Sequence, residues 1–469
     1  MAERDSLAGK KVVVFGFGRG GRALARWLPS VGAEVAVTDS RSAKELDLRR
    51  RDFPGVRFHL GGHREDVLIG ARCICVSGGV PLDNPVLQLA QDRGLPLTND
   101  AQLFLERCPA PVIGITGSAG KTTTTSLVAS IVERAGYKVW LGGNIGNPLI
   151  EELPKITAND IVVMELSSFQ LELMTVSPQV AAVLNITPNH LDRHGSFERY
   201  ASAKANILRY QRKNDVAVLG WDDAGSRALE QIVEGELLAF SRYELAPDGA
   251  FMLGERLLVA GSASYDASPH VVCEREEIPL RGDHNALNAL AACAISGSLG
   301  LAIDRPGILP EAMREAIRAF TAVKHRLETV RAFNGVTWVN DSIATAPERT
   351  LAALASYDEP LVLLLGGADK DLPWEAAIQI ALRKARHIIV FGEDGDKQVA
   401  TKVMTLLSKT RVGDGQVFRA TTLADAVARA AELAQAGDVV LLSPGGTSYD
   451  AYADFAERGE HFRQLVSQL

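Results

Sequence analysis

The chain has 469 residues, of which 46% are hydrophobic and 23% are charged, and its formal net charge at pH 7 is −7. This length and composition predict a globular protein of about three domains. The negative charge argues against a general nucleic-acid binder and against a protein that binds membrane surfaces. The first residues contain no apolar run, so we expect no signal peptide, and the most apolar helical segment, residues 286–302, is expected to be too short to span a membrane.

The five cysteines contain no Cys-x-x-Cys pair. This pattern predicts reduced, mostly buried thiols and argues against a metal cluster held by cysteine. We therefore expect a cytoplasmic protein without membrane insertion, and we expect it to be a monomer.

The first hundred residues begin with an apolar strand over 11–15, the glycine turn Gly16–Gly21 and a helix to about Leu28. A second strand, 34–38, ends at Asp39, eighteen residues after Gly21. This spacing matches the dinucleotide-binding fingerprint, so an NAD-dependent oxidoreductase is an alternative function. The glycine motif alone is weak, because any diphosphate can bind the same helix N-terminus.

A third strand, 73–76, runs into the turn Ser77-Gly78-Gly79. Turns at the carboxyl ends of parallel strands meet at one edge of the sheet, where they form a crevice for a nucleotide-sized ligand. The alternative is a plain α/β domain with tight turns. The segment Cys108-Pro-Ala-Pro111 predicts the end of this domain.

The next segment has the pattern of a phosphate-binding loop. A buried strand over 112–115 is followed by the loop Thr116–Lys121 and a helix over 123–134. Lys121 would reach the β- and γ-phosphates of a nucleotide, and the Thr122 hydroxyl would hold Mg²⁺. The usual motif has glycine five residues before Gly120, where this chain has Ile115. A small-residue turn that only caps a helix is the alternative.

Two more strand ends carry polar groups. The glycine turn 142–146 follows a strand near Val139, and the apolar strand 161–165 ends at Glu165. An acid at the end of a strand beside a phosphate loop is typical of the carboxylate that holds Mg²⁺ in such enzymes.

A further strand, 180–184, leads to His190 and His194, four residues apart, so a metallohydrolase with a helical zinc pair is a possible alternative. Pro188 and Gly195 predict a loop or a single turn there, which fits a single histidine completing a Mg²⁺ site better. The following helix, 197–210, carries Lys204; from spacing alone this is a solvated lysine.

Residues 216–279 show short strands and turns. The segment Arg281–Asn285 introduces an alanine-rich helix that contains Asn288, and residues 320–326 resemble a linker. Four strands then alternate with helices at 336–339, 361–365, 387–391 and 438–442. The predicted fold is α/β with an N-terminal Rossmann-like domain (1–108), a central, mostly parallel P-loop ATPase-like domain (109–319) and a C-terminal Rossmann-like domain (320–469).

Taken together, these motifs resemble the ATP-dependent Mur ligases of peptidoglycan synthesis, nearly from end to end. The atypical phosphate loop 116–122 matches that family. Within the family, the chain most resembles the members that add glutamate to UDP-N-acetylmuramoyl-L-alanine. The other segments that carry the resemblance are Gly142–Gly146, Glu165–Leu171, Asn189–Asp192, Lys204, Gly282–Asn285 and His325-Arg326.

The resemblance implies a role for each matching residue. Lys121, Glu165, His190 and Lys204 would form the catalytic centre, with two Mg²⁺ ions on Thr122, Glu165, His190 and a carbamylated Lys204. ATP would contact Gly117, Ser118, Ala119, Gly120, Lys121, Thr122, Thr123, Asn285, Asn288, Arg326 and Asp341. The UDP-sugar would contact Gly18, Asp39, Ser40, Ser77, Gly78, Asn144, Ser167, Gln170 and His190. Glutamate would contact Thr345, Lys370, Ser448 and Phe455.

The implied reaction converts the substrate carboxyl into an acyl phosphate at the expense of ATP, after which the amine of glutamate attacks it. One position departs from the pattern. Where the D-glutamate enzymes usually have Asp-Ser-Lys-Ala-Thr-Asn, this chain has Asp341-Ser-Ile-Ala-Thr-Ala346, so Ile343 replaces a lysine. The resemblance favours D-glutamate as the added amino acid, and L-glutamate is the alternative.

Overall fold

A computed structural model describes residues 5–146, 148–321, 324–410, 412–413 and 415–469. Ala322 and Val323 of the predicted linker, and the side chain of Asp192, lie outside the described part. The chain forms two compact units: unit 1 is Met1–Ile278 with Leu287–Ala319, and unit 2 is Pro279–Ala286 with Phe320–Leu469. The predicted boundaries at residues 108 and 319 stay predictions.

The first sheet of unit 1 has five strands in the order β3-β2-β1-β4-β5, and every strand pair is parallel. Its elements are β1 (Lys11–Phe15), α1 (Arg19–Ser30), β2 (Glu34–Asp39), β3 (Arg57–Leu60), β4 (Ala71–Val76), α2 (Pro85–Asp92), β5 (Leu97–Thr98) and α3 (Asp100–Leu105). The sequence pattern missed β3 and β5. The first alternates polar and apolar residues over only four positions, which is the shortest run that indicates a strand, and the second has only two residues, too few for any period.

The second sheet of unit 1 has nine strands in the order β14-β13-β12-β11-β10-β9-β6-β8-β7. Its strands are β6 (Val112–Thr116), β7 (Val139–Gly143), β8 (Ile161–Glu165), β9 (Val180–Val183), β10 (Val216–Gly220), β11 (Glu236–Ser241), β12 (Gly249–Leu253), β13 (Arg256–Gly261) and β14 (Ala267–Glu274). The β12–β13 and β13–β14 pairs are antiparallel, and all the other neighbouring pairs in this sheet are parallel.

The helices that accompany this sheet are α4 (Lys121–Arg134), α5 (Ser168–Leu171), α6 (Leu191–His194), α7 (Phe197–Arg209), α8 (Ala224–Arg227), α9 (Asp283–Gly297), α10 (Leu299–Ile303) and α11 (Pro310–Ala319). Because β6 lies between β8 and β9 and is parallel to both, the residues that follow these three strands meet at one edge of the sheet. All five residues of β6 are buried. A Cβ on Gly114 would lie 2.4 Å from Pro178 Cγ, so only glycine lets the segment before β9 pack this closely.

The apolar helical segment is longer than the sequence pattern predicted. It runs over Asp283–Ile303 with 21 residues, and within the described residues it is the one segment long and apolar enough to cross a membrane. The prediction that it is too short was wrong, because the helix begins before residue 286 and continues from α9 into α10. However, 72% of its most apolar window is buried inside the protein, as expected of a core helix.

Unit 2 contains a six-stranded sheet in the order β15-β16-β20-β17-β18-β19, in which the β15–β16 pair alone is antiparallel. Its elements are β15 (Glu328–Phe333), β16 (Val336–Asn340), α12 (Pro347–Ala355), β17 (Leu361–Gly366), α13 (Glu375–Lys384), β18 (Ala385–Phe391), α14 (Val399–Ser408), β19 (Val417–Ala420), α15 (Leu423–Leu433), β20 (Val439–Gly445) and α16 (Phe455–Ser467). Buried clusters cover both faces of the sheet. The predicted α/β class with three mostly parallel sheets is confirmed.

Candidate active site

The phosphate loop runs from the end of β6 to Lys121, the first residue of α4. Gly120 has a φ of +83°, and a Cβ there would lie 2.4 Å from Asn288 Oδ1, so both the backbone and the space require glycine. Asn185, after β9, holds the loop: its backbone carbonyl accepts from Ser118 N at 2.9 Å and its Oδ1 accepts from Ala119 N at 2.8 Å. Sequence analysis gave Asn185 no role.

Glu165 connects the phosphate loop with the second glycine turn. Its side chain is 1% exposed. Thr122 Oγ1 donates to Glu165 Oε2 at 2.8 Å, and Asn144 Nδ2 donates to Glu165 Oε1 at 2.7 Å. A hydroxyl and a carboxylate this close are the hard oxygen ligands that Mg²⁺ prefers, so this pair fits such an ion. Lys121 Nζ donates to Gly117 O at 2.8 Å.

Lys204 on α7 is buried, with 1% of its side chain exposed. Its Nζ donates to Gly117 O at 2.9 Å and to Thr116 Oγ1 at 3.2 Å, and it lies 4.9 Å from the centre of the Tyr200 ring. Burial lowers the pKa of Lys204 well below its usual value, the charge of Lys121 lowers it further, and Glu165 opposes the shift. The interpretation from spacing alone, that Lys204 is solvated, was wrong.

The two histidines of the predicted single turn have different surroundings. His190 is half-buried with a φ of +54°, and its ring contacts the edge of Phe169 at 5.1 Å. His194 is buried, stacks on Phe169 at 5.1 Å and lies 3.0 Å from Ser168 Oγ. No group of three or more metal-binding side chains occurs among the described residues. This arrangement does not support a helical zinc pair.

The glycine turns enclose a cavity of about 550 Å³ in unit 1. The turns after β1, β2 and β4 form one side, and residues after β7 and β8 form the other. Every residue predicted to contact the UDP-sugar lines it except His190: Gly18, Asp39, Ser40, Ser77, Gly78, Asn144, Ser167 and Gln170. The lining also includes Arg19, Arg41 and His63, which sequence analysis did not single out.

Asp39 is already hydrogen-bonded within the protein. Its Oδ2 accepts from Phe17 N at 2.7 Å, and Arg41 donates to both carboxylate oxygens at 2.9 Å. Burial raises the pKa of Asp39, but the bonds from Arg41 and Phe17 outweigh it and lower the pKa to about 2. The carboxylate therefore fixes the first glycine turn and Arg41 beside the cavity. Arg41 could have been inferred from its position two residues after Asp39.

Ser167 and Gln170 also bond to each other at the cavity wall. Ser167 Oγ accepts from Gln170 N at 3.3 Å and Gln170 Oε1 accepts from Ser167 N at 3.1 Å, which forms the capping box of α5. Ser167 Oγ also donates to Gln170 Oε1 at 3.0 Å. Their side chains therefore line the cavity and begin a helix at the same time.

The predicted glutamate contacts lie in unit 2, on loops that follow β16, β17 and β20. Lys370 Nζ donates to Thr345 Oγ1 at 3.4 Å. Ser448 is 2% exposed, and Phe455 begins α16, where its carbonyl accepts from Ser342 Oγ at 2.8 Å. Ile343 is half-buried, and its carbonyl accepts from Arg349 Nη1 at 3.1 Å.

The predicted nucleotide contacts are divided between the units. Asn288 lies in unit 1, where its Oδ1 accepts from Thr124 Oγ1 at 3.3 Å, whereas Asn285, Arg326 and Asp341 lie in unit 2. Asp341 accepts from Ser443 Oγ at 2.9 Å. Burial raises the pKa of Asp341 to about 7, while the Ser443 hydrogen bond and the Arg326 charge act in the opposite direction.

Sequence analysis missed Arg458, a fully buried cation of unit 2. Its guanidinium donates to Ser342 O at 2.8 Å, Ser342 Oγ at 3.0 Å, Gly446 O at 3.1 Å and Thr447 O at 3.3 Å. Burial lowers its pKa to about 10, so it stays charged at neutral pH. A signal was present: helical spacing from Phe455 and Phe462 places residue 458 on the buried face.

Three Mur ligase family models match the chain in succession. They are "Mur ligase MurD-like, N-terminal domain" over residues 10–99, "Mur ligase middle domain" over 115–296 and "Mur ligase, glutamate ligase domain" over 325–446.

Similar whole proteins are known as well. The UDP-N-acetylmuramoylalanine–D-glutamate ligase of Acetivibrio thermocellus is 37% identical, and the match covers 99% of this chain and 98% of the relative. The protein of the same name from Clostridium botulinum (strain Okra) is 35% identical with the same coverage. Among solved structures, the UDP-N-acetylmuramate–alanine ligase of Thermotoga maritima matches with a TM-score of 0.59 and 20% identity, over 98% of this chain and 99% of that one. This last similarity concerns the fold alone. The end-to-end identity with the D-glutamate ligases, together with the three domain matches, shows that the chain belongs to the Mur ligase family.

Proposed function

We propose that the chain is an ATP-dependent amide ligase that adds D-glutamate to UDP-N-acetylmuramoyl-L-alanine and releases ADP and phosphate, in the synthesis of peptidoglycan precursors. One observation carries the proposal. Asn144 lines the 550 Å³ cavity and also bonds to Glu165, which bonds to Thr122 of the phosphate loop. Asn144 thus links the cavity proposed for the sugar nucleotide to the residues proposed for Mg²⁺–ATP, and this proximity supports a phosphoryl transfer between the two ligands.

The reaction follows from the chemistry of a carboxylate, which is a poor electrophile. An oxygen of the alanyl carboxylate attacks the γ-phosphorus of ATP, and ADP leaves. The amine of glutamate then attacks the carbonyl carbon of the acyl phosphate, phosphate leaves, and the nitrogen loses a proton as the amide forms. Lys121 neutralises charge on the transferring phosphoryl group. Mg²⁺, when bound on Thr122 and Glu165 and, with a second ion, on His190, supplies further neutralisation.

Lys204 is proposed to carry a carbamate. A lysine amine reacts with CO₂ only when it is neutral, and the lowered pKa of Lys204 provides the neutral amine. The nitrogen forms a bond to the carbon of CO₂ and loses a proton, which leaves a carbamate anion near Lys121. Incubation of the protein with ¹³CO₂ should give a carbamate ¹³C signal that is absent from Lys204→Ala.

The cavity is proposed to bind the uridine diphosphate of the sugar nucleotide, with Asp39, Ser40 and the Gly16–Gly21 turn around the uracil and diphosphate. An NAD-dependent oxidoreductase would leave the phosphate loop and Glu165 without a role. In thermal-shift titrations of the full chain, UDP should raise the melting temperature and NAD should not. A response to NAD alone would revive the oxidoreductase. We further propose that the protein acts in the cytoplasm as a monomer.

The amino acid is tested by ADP release with UDP-N-acetylmuramoyl-L-alanine and each glutamate enantiomer in turn. We expect at least a tenfold preference in kcat/KM for D-glutamate, about 1.4 kcal/mol. A preference for L-glutamate would overturn the stereochemistry and support the alternative that the loss of a lysine at Ile343 changes the pose of the amino acid. Comparable use of both would mean that Ile343 loosens the site. Ile343→Lys is the matched variant, and no ADP release with either enantiomer would overturn the proposed function.

A further inference from the structure

Arg19, the first residue of α1, joins the two glycine turns that face each other across the cavity. Its guanidinium donates to the backbone carbonyls of Asn144 at 2.7 Å, Gly146 at 2.9 Å and Gly143 at 3.4 Å. Gly143 is the last residue of β7, and Asn144 and Gly146 follow it. Arg19 begins α1 directly after the first glycines of the turn that is proposed to hold the diphosphate. Asp100 also lines the cavity and interacts with Arg19: burial raises the pKa of Asp100, and the charge of Arg19 acts in the opposite direction. The three carbonyl oxygens carry no formal charge, so the guanidinium can also attract an anion in the cavity.

The turn that Arg19 holds is also the turn that orients Glu165. Asn144 N donates to Glu165 O at 2.8 Å, and Asn144 Nδ2 donates to Glu165 Oε1 at 2.7 Å. A Cβ on Gly143 would lie 2.4 Å from Glu165 O, so this turn has little freedom to shift against the end of β8. Hydrogen bonds therefore run without a break from Arg19 through Asn144 and Glu165 to Thr122.

We propose that Arg19 is a positioning residue that couples the sugar-nucleotide cavity to the Mg²⁺–ATP site. A diphosphate bound at the first glycine turn would hold the Arg19 side chain in place over the second turn. Asn144 would then keep Glu165 in the orientation that Mg²⁺–ATP needs. The proposal rests on the proposed function, and it predicts that each ligand tightens the binding of the other by the same factor.

The test uses the full chain, UDP and Mg²⁺–ATP. UDP has no carboxyl group to phosphorylate, so both ligands can be titrated by calorimetry without turnover. In the wild type, saturating UDP should lower the Kd of Mg²⁺–ATP about fivefold, the lower end of typical allosteric couplings. Arg19→Met should bind each ligand separately, with the ATP affinity unchanged by UDP. Arg19→Lys keeps the charge but cannot reach three carbonyls, so it should bind UDP like the wild type and yet lose most of the coupling.

Arg26→Met is the matched control. Arg26 lies on the same helix and forms an exposed ion pair at 3.3 Å with Glu151, which also follows β7. Unlike Arg19, it does not line the cavity. This variant should keep the full coupling. Unchanged coupling in Arg19→Met, loss of coupling in Arg26→Met, or absence of coupling in the wild type would each overturn the role of Arg19. Failure of the wild type to bind UDP at all would instead overturn the proposed function, and this inference with it.

Discussion

Two buried cations, Lys204 in unit 1 and Arg458 in unit 2, have similar surroundings and different chemistry. Each lies at the carboxyl edge of a mostly parallel sheet and donates to a hydroxyl, and Lys204 donates to one backbone carbonyl whereas Arg458 donates to three. Burial lowers both pKa values. An amine can escape this cost by losing its proton, whereas a guanidinium keeps its charge, so equal burial makes Lys204 reactive and Arg458 a fixed structural charge.

The atoms that accept hydrogen bonds from the two cations also differ in whether they have other bonding partners. Gly117 O, which accepts from Lys204, also accepts from Lys121, and Thr116 Oγ1 is itself bonded to Leu166 O. Removal of Lys204 therefore leaves these atoms with other partners. Arg458, in contrast, connects the loops after β16 and β20. The comparison predicts that substitution of Lys204 affects mainly the rate, and that substitution of Arg458 affects mainly stability.

The largest effect is expected for Lys204→Ala. It should lower kcat more than about a hundredfold, or about 2.7 kcal/mol, because the proposed carbamate is lost. Short carboxylates such as acetate should restore part of the activity, since they can occupy the position of the carbamate. The measurement is ADP release with and without added carboxylate. Lys213→Ala, on an exposed loop lysine, is the control and should have the wild-type rate. A Lys204→Ala enzyme with more than a tenth of wild-type turnover would contradict the reactive role.

Arg458→Met should destabilise unit 2 by about 3 kcal/mol, because buried carbonyls of Ser342 and Gly446 lose their donor. Hydrogen exchange of amides in β20 reports on the stability of unit 2, and exchange in β6 reports on unit 1. Protection should decrease in β20 alone. The matched control is Arg429→Met, whose side chain is 44% exposed and pairs with Glu432. Its effect should stay below about 0.5 kcal/mol. A loss of unfolding free energy as small as this in Arg458→Met would contradict a structural role for Arg458.

Lys204→Met tests whether Lys204, unlike Arg458, contributes little to stability. A buried amine replaced by an apolar side chain of similar length should change the free energy of unfolding by less than about 1 kcal/mol, since no desolvation cost remains. Exchange of amides in β6 measures it. A loss as large as that of Arg458→Met would show that the two cations are equally structural.

A pH dependence is expected from Asp341, whose charge acts against the lowering of the Arg458 pKa by burial. Its pKa is about 7 in the folded protein against 3.8 in the unfolded chain, so the folded state binds more protons between these values. The stability of the wild type relative to Asp341→Asn should therefore decrease as pH rises from about 4 to 7 and level off above. Melting temperatures of both proteins at each pH measure this difference. A flat difference would mean that Asp341 is ionised throughout.

The parts of the site that sequence patterns predicted are those whose signal is local. A few neighbouring residues are enough to recognise the phosphate loop, Glu165 at the end of an apolar strand, and the glycine turns. Lys204 and Arg458 do not, because their partners are distant: Lys204 bonds Gly117 across 87 residues, and Arg458 bonds Ser342 across 116. The resemblance to a family supplied the importance of Lys204, and nothing in the local sequence distinguished its burial from the exposure of an ordinary helical lysine.

The discontinuity of unit 2 has a consequence for protein synthesis. Its first piece, Pro279–Ala286, leaves the ribosome before Leu287–Ala319, the last piece of unit 1. Arg281 in that first piece pairs with Glu359 at 2.6 Å and lies 5.2 Å from the Tyr357 ring, so it meets its partners only after unit 1 has been fully translated. Unit 1 is therefore complete in the growing chain before unit 2 can form, and Pro279–Ala286 must wait for the rest of unit 2. A gene fragment that starts at residue 320 would encode unit 2 without one of its own pieces.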